Sequence, residues 1–284
     1  MGNTVTESNA IALDLLLEKI YLGGRHDFRE YKHGTLIRRL ERRLQSTAVK
    51  TYLDYMRFLD THPEEYQRLS DYLTIQVSRF FRSTYAFQQV ARLVLPELVS
   101  VKRDQRQRSL SFWSTACARG EEPYSVAILL AQFLGQRLSD FNISIYATDI
   151  SRYALQEAQA GLYQPKGIEG LPPIILDSYF TRHSEGYTVN SDIRQMVNFS
   201  YFDLVSTTAP PFTSLDCVFC CNILIYLQKQ LQERALEMLY NSLATPGYLI
   251  LGEVETPTSN MNGKLECLDA KAKIYKKNGR GDNV

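Results

Sequence analysis

From residue 10 to about 73, apolar side chains recur at helical spacing. Ile11, Leu15, Leu16 and Ile20 mark one amphipathic helix, which Gly23-Gly24 stops. Leu36, Ile37, Leu40 and Leu44 mark a second over 35–44. Thr51 reads as the cap of a third carrying Tyr52, Tyr55, Met56 and Leu59, and Pro63 with Glu64 and Glu65 opens a fourth that runs to Tyr72. Beyond residue 109 the pattern changes. Strand-like runs at 110–112, 143–149, 196–201, 215–221, 248–253 and 274–275 alternate with helical stretches at 124–134, 151–160 and 229–244. That alternation predicts an α/β fold, a doubly wound, mostly parallel sheet with helices on both faces. Tyr179-Phe180, Gly186 and Tyr187-Thr-Val189 read as short strands inserted before the 196–201 strand. The expected organisation is a small all-helical domain, residues 1–75, and an α/β domain, residues 76–284, with a short β subdomain at about 176–197.

The segment joining them, Thr74-Ile-Gln-Val-Ser-Arg-Phe-Phe-Arg82, alternates in polarity and reads as extended, with Gln76, Ser78 and Arg82 facing one cleft. A single helix over 85–99 follows, then an exposed basic loop, 102–108.

Composition adds little. A hydrophobic share of 44%, a charged share of 22% and a net charge of +1 describe an ordinary globular chain with no global field for nucleic acid. No apolar run approaches the roughly 20 residues of a membrane span, and residues 10–17 lack the basic flank of a signal peptide, so a cytoplasmic protein is expected. Cys217, Cys220 and Cys221 form C-x-x-C-C inside an apolar strand with no His or fourth Cys beside them. Strand alternation sends Cys220 and Cys221 to opposite faces, so buried thiols are expected and no metal. Arg38, Arg39, Arg42 and Arg43 share the face of the second helix opposite its leucines; they form a solvated face or a docking surface for an acidic partner.

The stretch Phe112-Trp-Ser-Thr-Ala-Cys-Ala-Arg-Gly-Glu-Glu-Pro-Tyr-Ser125 reads as strand, tight turn and helix start, where a nucleotide-like ligand can meet backbone. Only one glycine is present in it, so the dinucleotide fingerprint is missing. Asp149, Asp203 and Asn222 fall at the ends of later strands, and an acid at Asp149 suits the two hydroxyls of a ribose. An adenosine without a pyrophosphate fits that combination, which points to S-adenosylmethionine.

Gly120-Glu-Glu-Pro-Tyr-Ser125, Trp113-Ser114, Ala147-Thr-Asp-Ile-Ser151, Arg79-Phe-Phe-Arg82 and Asn222-Ile-Leu-Ile-Tyr226 together resemble the CheR family of chemotaxis receptor glutamate O-methyltransferases. The resemblance covers nearly the whole chain. It implies a Rossmann-like S-adenosylmethionine-dependent domain and methyl transfer to glutamate carboxylates on chemoreceptor helices, leaving S-adenosylhomocysteine. It also implies a cofactor site of Gln76, Ser78, Arg82, Ala116, Glu122, Asp149, Asp203, Leu204, Cys221 and Asn222. Arg82 and Tyr226 would stand nearest the transferred methyl, and Arg38, Arg39, Arg42 and Arg43 would dock the receptor. The expected partners are cytoplasmic chemoreceptor helices, without nucleic acid or membrane insertion, and the chain is expected to act as a monomer. Three departures stand out. Cys221 replaces the family's usual Arg, Gln76 and Ser78 replace its Asn and Thr, and the insertion before Met196 is shorter than in members that tether to a receptor's C-terminal peptide. Cys221 motivates an alternative, a weakened cofactor-binding or scaffolding protein of a signalling complex. A methyltransferase for another carboxylate is a third reading.

Overall fold

The computed structural model describes residues 2–278 apart from 25, 75, 207, 208 and 211. Its contacts fall into two units, Met1–Ile75 with Tyr226–Leu231, and Gln76–Ile225 with Gln232–Val284.

The first unit contains α1 (Gly2–Gly24), α2 (His33–Ser46), α3 (Tyr52–Thr61) and α4 (Glu64–Leu73). The apolar stripes read from the sequence meet in one core that includes Leu16, Ile20, Leu36, Leu40, Leu44, Tyr55, Leu59 and Leu69. Thr51 caps α3 as expected, its hydroxyl accepting the Asp54 N–H at 3.1 Å. A later segment of chain joins this unit through its backbone. The Lys32 N–H donates to the Tyr226 carbonyl at 2.8 Å, the Gln228 N–H donates to the Glu30 carbonyl at 2.9 Å, and Tyr31 and Leu227 form an antiparallel bridge.

The second unit begins with α5 (Thr84–Gln89) and α6 (Leu95–Asp104), joined by a π turn at Val90–Val94. The helix expected over 85–99 is therefore interrupted, and it runs on into the basic stretch expected to be a loop. There follow β1 (Ser109–Thr115), α7 (Glu121–Leu134), β2 (Asn142–Asp149), α8 (Arg152–Ala160) and β3 (Leu162–Tyr163). Then come α9 (Pro173–Tyr179), β4 (Phe180–His183), β5 (Gly186–Val189), α10 (Ser191–Arg194), β6 (Val197–Tyr201) and β7 (Leu215–Cys220). The chain closes with α11 (Lys229–Ser242), β8 (Leu243–Leu251), β9 (Leu265–Asp269) and β10 (Ile274–Lys277).

Seven strands form one sheet in the order β6-β2-β1-β7-β8-β10-β9. The first five pair in parallel, and β10 runs antiparallel to both β8 and β9. All six residues of β7 are buried, as a central parallel strand requires. The order reverses between β1 and β7, so the crevice for a ligand lies beyond the carboxyl ends of those two strands. The inserted sheet, β3-β5-β4, starts earlier than expected, because Leu162-Tyr163 pairs with β5. Residues 76–79 form no strand, and Val77 is 70% exposed, so polarity alternation there did not mark a pleated segment.

Candidate active site

Beyond β1 the backbone turns through three left-handed residues: Ala116 at φ 52°, Ala118 at φ 49° and Gly120 at φ 91°. Two of them are alanines, which hold this conformation only where the surroundings enforce it. The enforcement is visible. The Cys117 N–H donates to the Thr148 carbonyl at 2.8 Å, and the Ala118 N–H donates to Oδ2 of Asp149 at 2.8 Å. A Cβ on Gly120 would come within 3.0 Å of Ala158 and 3.2 Å of Phe199 and Tyr124, so glycine is required there by space as well as by φ. The scarcity of glycine in this stretch therefore did not signal an ordinary turn.

Asp149 staples the turn to α8. Its Oδ1 accepts the Ser151 N–H at 2.8 Å while Oδ2 holds Ala118, and burial pushes its carboxyl above the ordinary range against these bonds. Each carboxylate oxygen keeps a second lone pair, so the staple remains able to accept hydroxyls. Asp203 stands just past β6, its Oδ1 accepting the Val205 N–H at 3.0 Å, and Leu204 beside it is buried. The neighbouring Phe202 N–H reaches the Asp149 carbonyl at 3.3 Å, which brings the two acids' strand ends together.

The start of α7 carries two acids. Glu121 is buried; burial raises its pKa, and the Ser78 hydroxyl hydrogen-bonds to it. That bond and a second link bring the segment 76–82 onto this helix. The Phe81 N–H donates to Ser125 Oγ at 2.9 Å, and Ser125 in turn donates to the Glu121 carbonyl at 2.6 Å. Phe80 anchors the same segment edge-on against Tyr163 and Phe180. Gln76 is half-buried at its beginning, and Arg82 is exposed at its end, donating from Nη1 to the Val77 carbonyl at 2.8 Å.

Glu122 is partly exposed as a residue, yet desolvation of its carboxyl pushes its pKa up to about 7. Hydrogen bonds from Ser114, at 2.7 Å to Oε1, and from the Cys221 thiol oppose that rise; the Glu255 charge adds to it, and the Arg82 charge opposes it. Cys221 itself is part-exposed, and burial and the two carboxylates push its thiol well up, so it is a neutral donor. Asn222 follows in a left-handed conformation at φ 61°. Two residues that sequence reasoning missed complete this side: Ser114, which faces Glu122, and Glu255, whose carboxylate holds the Asn222 turn.

The structure thus gathers Ser78, Arg82, Ala116, Glu122, Asp149, Asp203, Cys221 and Asn222 around the carboxyl edge of one sheet. Gln76 and Leu204 belong to the same unit as these residues, and the remaining candidates belong to the other. Tyr226 belongs with the helical unit. Of the four arginines on α2, Arg38 and Arg42 are exposed. Arg39 donates to the Tyr72 and Thr74 carbonyls, and Arg43 forms a two-bond pair with Glu65. The expectation of four outward arginines is corrected to two, because α4 lies beside the same helix and takes the others as internal partners.

The donor set fits S-adenosylmethionine. Glu121 and Glu122 at the α7 N-terminus and Asp149 at the end of β2 are all desolvated carboxyls, a setting that repels a pyrophosphate and suits a cationic ligand with ribose hydroxyls. A parallel sheet reversing at β1 and β7, with acids instead of a phosphate-binding helix start, defines the S-adenosylmethionine-dependent methyltransferase class. Residues 76–274 match the family model described as CheR methyltransferase, SAM binding domain, and residues 11–74 match the one described as CheR methyltransferase, all-alpha domain. The chain belongs to the CheR methyltransferase family, and its cofactor is S-adenosylmethionine.

Relatives include a chemotaxis protein methyltransferase of Klebsiella aerogenes, 33% identical over 79% of this chain and 76% of that protein. Another, of Borreliella burgdorferi, is 28% identical over 94% of each. An uncharacterized 104.1 kDa protein of Rhodobacter capsulatus is 34% identical over 94% of this chain, which spans only 27% of that protein's length. No described helix is long and apolar enough to cross a membrane.

Proposed function

We propose that the chain transfers methyl groups from S-adenosylmethionine to the side-chain carboxylates of glutamates on cytoplasmic chemoreceptor helices, forming methyl esters for sensory adaptation. One observation carries this reading: the likeness to a named chemotaxis methyltransferase runs through both units, including the helical one that bears the outward arginines.

When bound, the cofactor supplies a methyl group made electrophilic by its sulfonium. The chain's own residues position what reacts with it. A substrate glutamate is ionised near neutral pH, so no strong base is needed and no proton has to be removed from it. Catalysis then rests on orientation and on excluding water. Arg82 presents a planar guanidinium fork to a carboxylate, and Tyr226 offers a hydroxyl to the nucleophile's second oxygen. Glu122 and Asp149 hold the cofactor's polar groups, with Gln76, Ser78, Ala116, Asp203, Leu204, Cys221 and Asn222 completing its site.

The direct test is transfer of labelled methyl groups into membranes carrying candidate receptors. Base-labile label on a receptor supports the reading, and unlabelled receptors with active cofactor binding would remove it. Cys221 favours a second reading, a scaffold with weakened cofactor affinity, because it places a neutral thiol beside Glu122. Calorimetric titration with S-adenosylhomocysteine separates the two, since the scaffold reading expects little or no binding.

Two outcomes follow from the site. With Glu122 titrating near pH 7, affinity for the cationic cofactor should rise about tenfold from pH 6 to pH 8, and Glu122→Gln should flatten that slope. The sign for stability is opposite. A carboxyl raised above its unfolded value near 4.3 favours the fold at low pH, and this contribution is lost as pH rises through about 7. The melting temperature of the protein without cofactor should therefore fall over that range more in the wild type than in Glu122→Gln. On the helical unit, replacing Arg38 and Arg42 together by Ala should raise the receptor KM about tenfold at low salt and much less at high salt. An unchanged KM would leave those arginines as a solvated face.

A further inference from the structure

The turn after β7 is held by a residue outside every functional motif of the sequence. Glu255 is 3% exposed and lies three residues past Gly252, the residue that follows β8. Its Oε2 accepts the Asn222 N–H at 2.8 Å and the Gly252 N–H at 2.8 Å, and its Oε1 accepts the Ile225 N–H at 3.2 Å. The Leu224 N–H also hydrogen-bonds to this carboxylate. Main-chain donors from two separate segments thus converge on one buried carboxylate, an arrangement that usually receives a bound anion and here receives the chain's own side chain. Gly252 makes the approach feasible. A Cβ there would meet Oε2 of Glu255 at 2.7 Å, the Asn222 N at 2.8 Å and Asn222 Nδ2 at 2.9 Å.

We propose that Glu255 is a positioning residue for cofactor binding, fixing Asn222 in its left-handed conformation so that the Asn222 side of the pocket is preformed before the cofactor arrives. The inference rests on the placement of Asn222 at the cofactor. Asn222 at φ 61° is a conformation most side chains avoid, and it persists because its own amide is tied to Glu255. Without that tie the turn gains freedom that binding must remove, and affinity falls by the cost of ordering it. Glu255 also faces Glu122 and the thiols of Cys220 and Cys221, all of which feel its charge. It therefore shapes the electrostatics of the pocket as well as its backbone.

The test is calorimetric titration of the full chain with S-adenosylhomocysteine, using Glu255→Gln, Asn222→Ala and the double variant. Glutamine keeps the volume but turns a donor amide toward backbone N–H groups that need an acceptor. Each single change should weaken binding at least tenfold. The double variant should bind no more than about threefold worse than either, because both losses act through one contact. Wild-type affinity in Glu255→Gln, or losses that multiply in full, would overturn the proposal. Wild-type affinity in Asn222→Ala would overturn it differently, by removing the placement of Asn222. Should Glu255→Gln fail to fold, Gly252→Ala drives a methyl group into the same contact; at least tenfold weaker binding supports the proposal, and unchanged affinity overturns it.

Discussion

Arg82→Ala should lower methyl transfer about 100-fold or more while leaving the fold intact. The expectation of an intact fold comes from how the 76–82 segment is held. Phe81 is fixed through its backbone to Ser125, Phe80 is packed between Tyr163 and Phe180, and Ser78 is bonded to Glu121, none of which involves the Arg82 side chain. The guanidinium is exposed and its one direct bond among the described residues is to the Val77 carbonyl, so truncation strands no buried partner among them. What disappears is a cation that favours the ionised form of Glu122. Cofactor affinity in the variant should accordingly rise with pH along a curve displaced upward from about 7. Arg82→Lys separates the two effects: it restores charge, and with it the pH midpoint, but not the two-pronged hold on a carboxylate, so transfer stays impaired. Initial rates with labelled cofactor and titrations with S-adenosylhomocysteine measure both. Near-normal turnover in Arg82→Ala would refute its placement beside the reacting groups.

The parts of this molecule that the sequence disclosed are those set by local pattern. The run ending at Cys220 became a central parallel strand because a continuous apolar run has nowhere else to go, and the acids at the end of β2 and just past β6 lie where strand ends place them. The parts that stayed hidden depend on partners far along the chain. Glu255 contacts Asn222 across 33 positions, and no spacing rule links Gly252-Glu-Val-Glu255 to the turn after β7. A glycine ending an apolar strand with a glutamate three residues on was the one available signal. β9, Leu265–Asp269, has no residue fully buried and so showed no hydrophobic pattern to read. Segment 76–79 shows the converse error, alternation without a strand, because its anchors are Phe80, Phe81 and a serine on α7. The arginines of α2 make the same point on a helix. Spacing placed all four on one broad face, yet only the structure shows that the α4 side of that face is occupied by Glu65.

Glu65→Ala should cost the fold about 3–5 kcal/mol, the largest stability loss expected from a polar position in the helical unit. Glu65 is 2% exposed. Its two oxygens take Nε and Nη2 of Arg43, each at 2.6 Å, and Oε1 also takes the Tyr55 hydroxyl at 2.6 Å. Removing the carboxylate leaves the guanidinium with only the Tyr55 hydroxyl oxygen of this trio to accept from it, and takes away the acceptor of the buried phenol's own proton. Replacing the three together by apolar residues of similar size, Arg43→Met, Tyr55→Phe and Glu65→Leu, should recover most of the loss, because no buried charge then remains. Acid should imitate the single variant. Burial pushes the Glu65 carboxyl up, but the bonds from Arg43 and Tyr55 outweigh this and hold it below the ordinary value. The stabilisation is therefore complete above about pH 4.3 and is lost as pH falls through the lower folded value. Urea unfolding of the full chain at neutral and acid pH measures all of this. A loss under about 1 kcal/mol in Glu65→Ala would mean that water reaches Arg43 and that the pair is not buried in solution. The same helix carries Arg38 and Arg42, so a weakened α2 should also lose receptor affinity at temperatures where the other unit still binds cofactor.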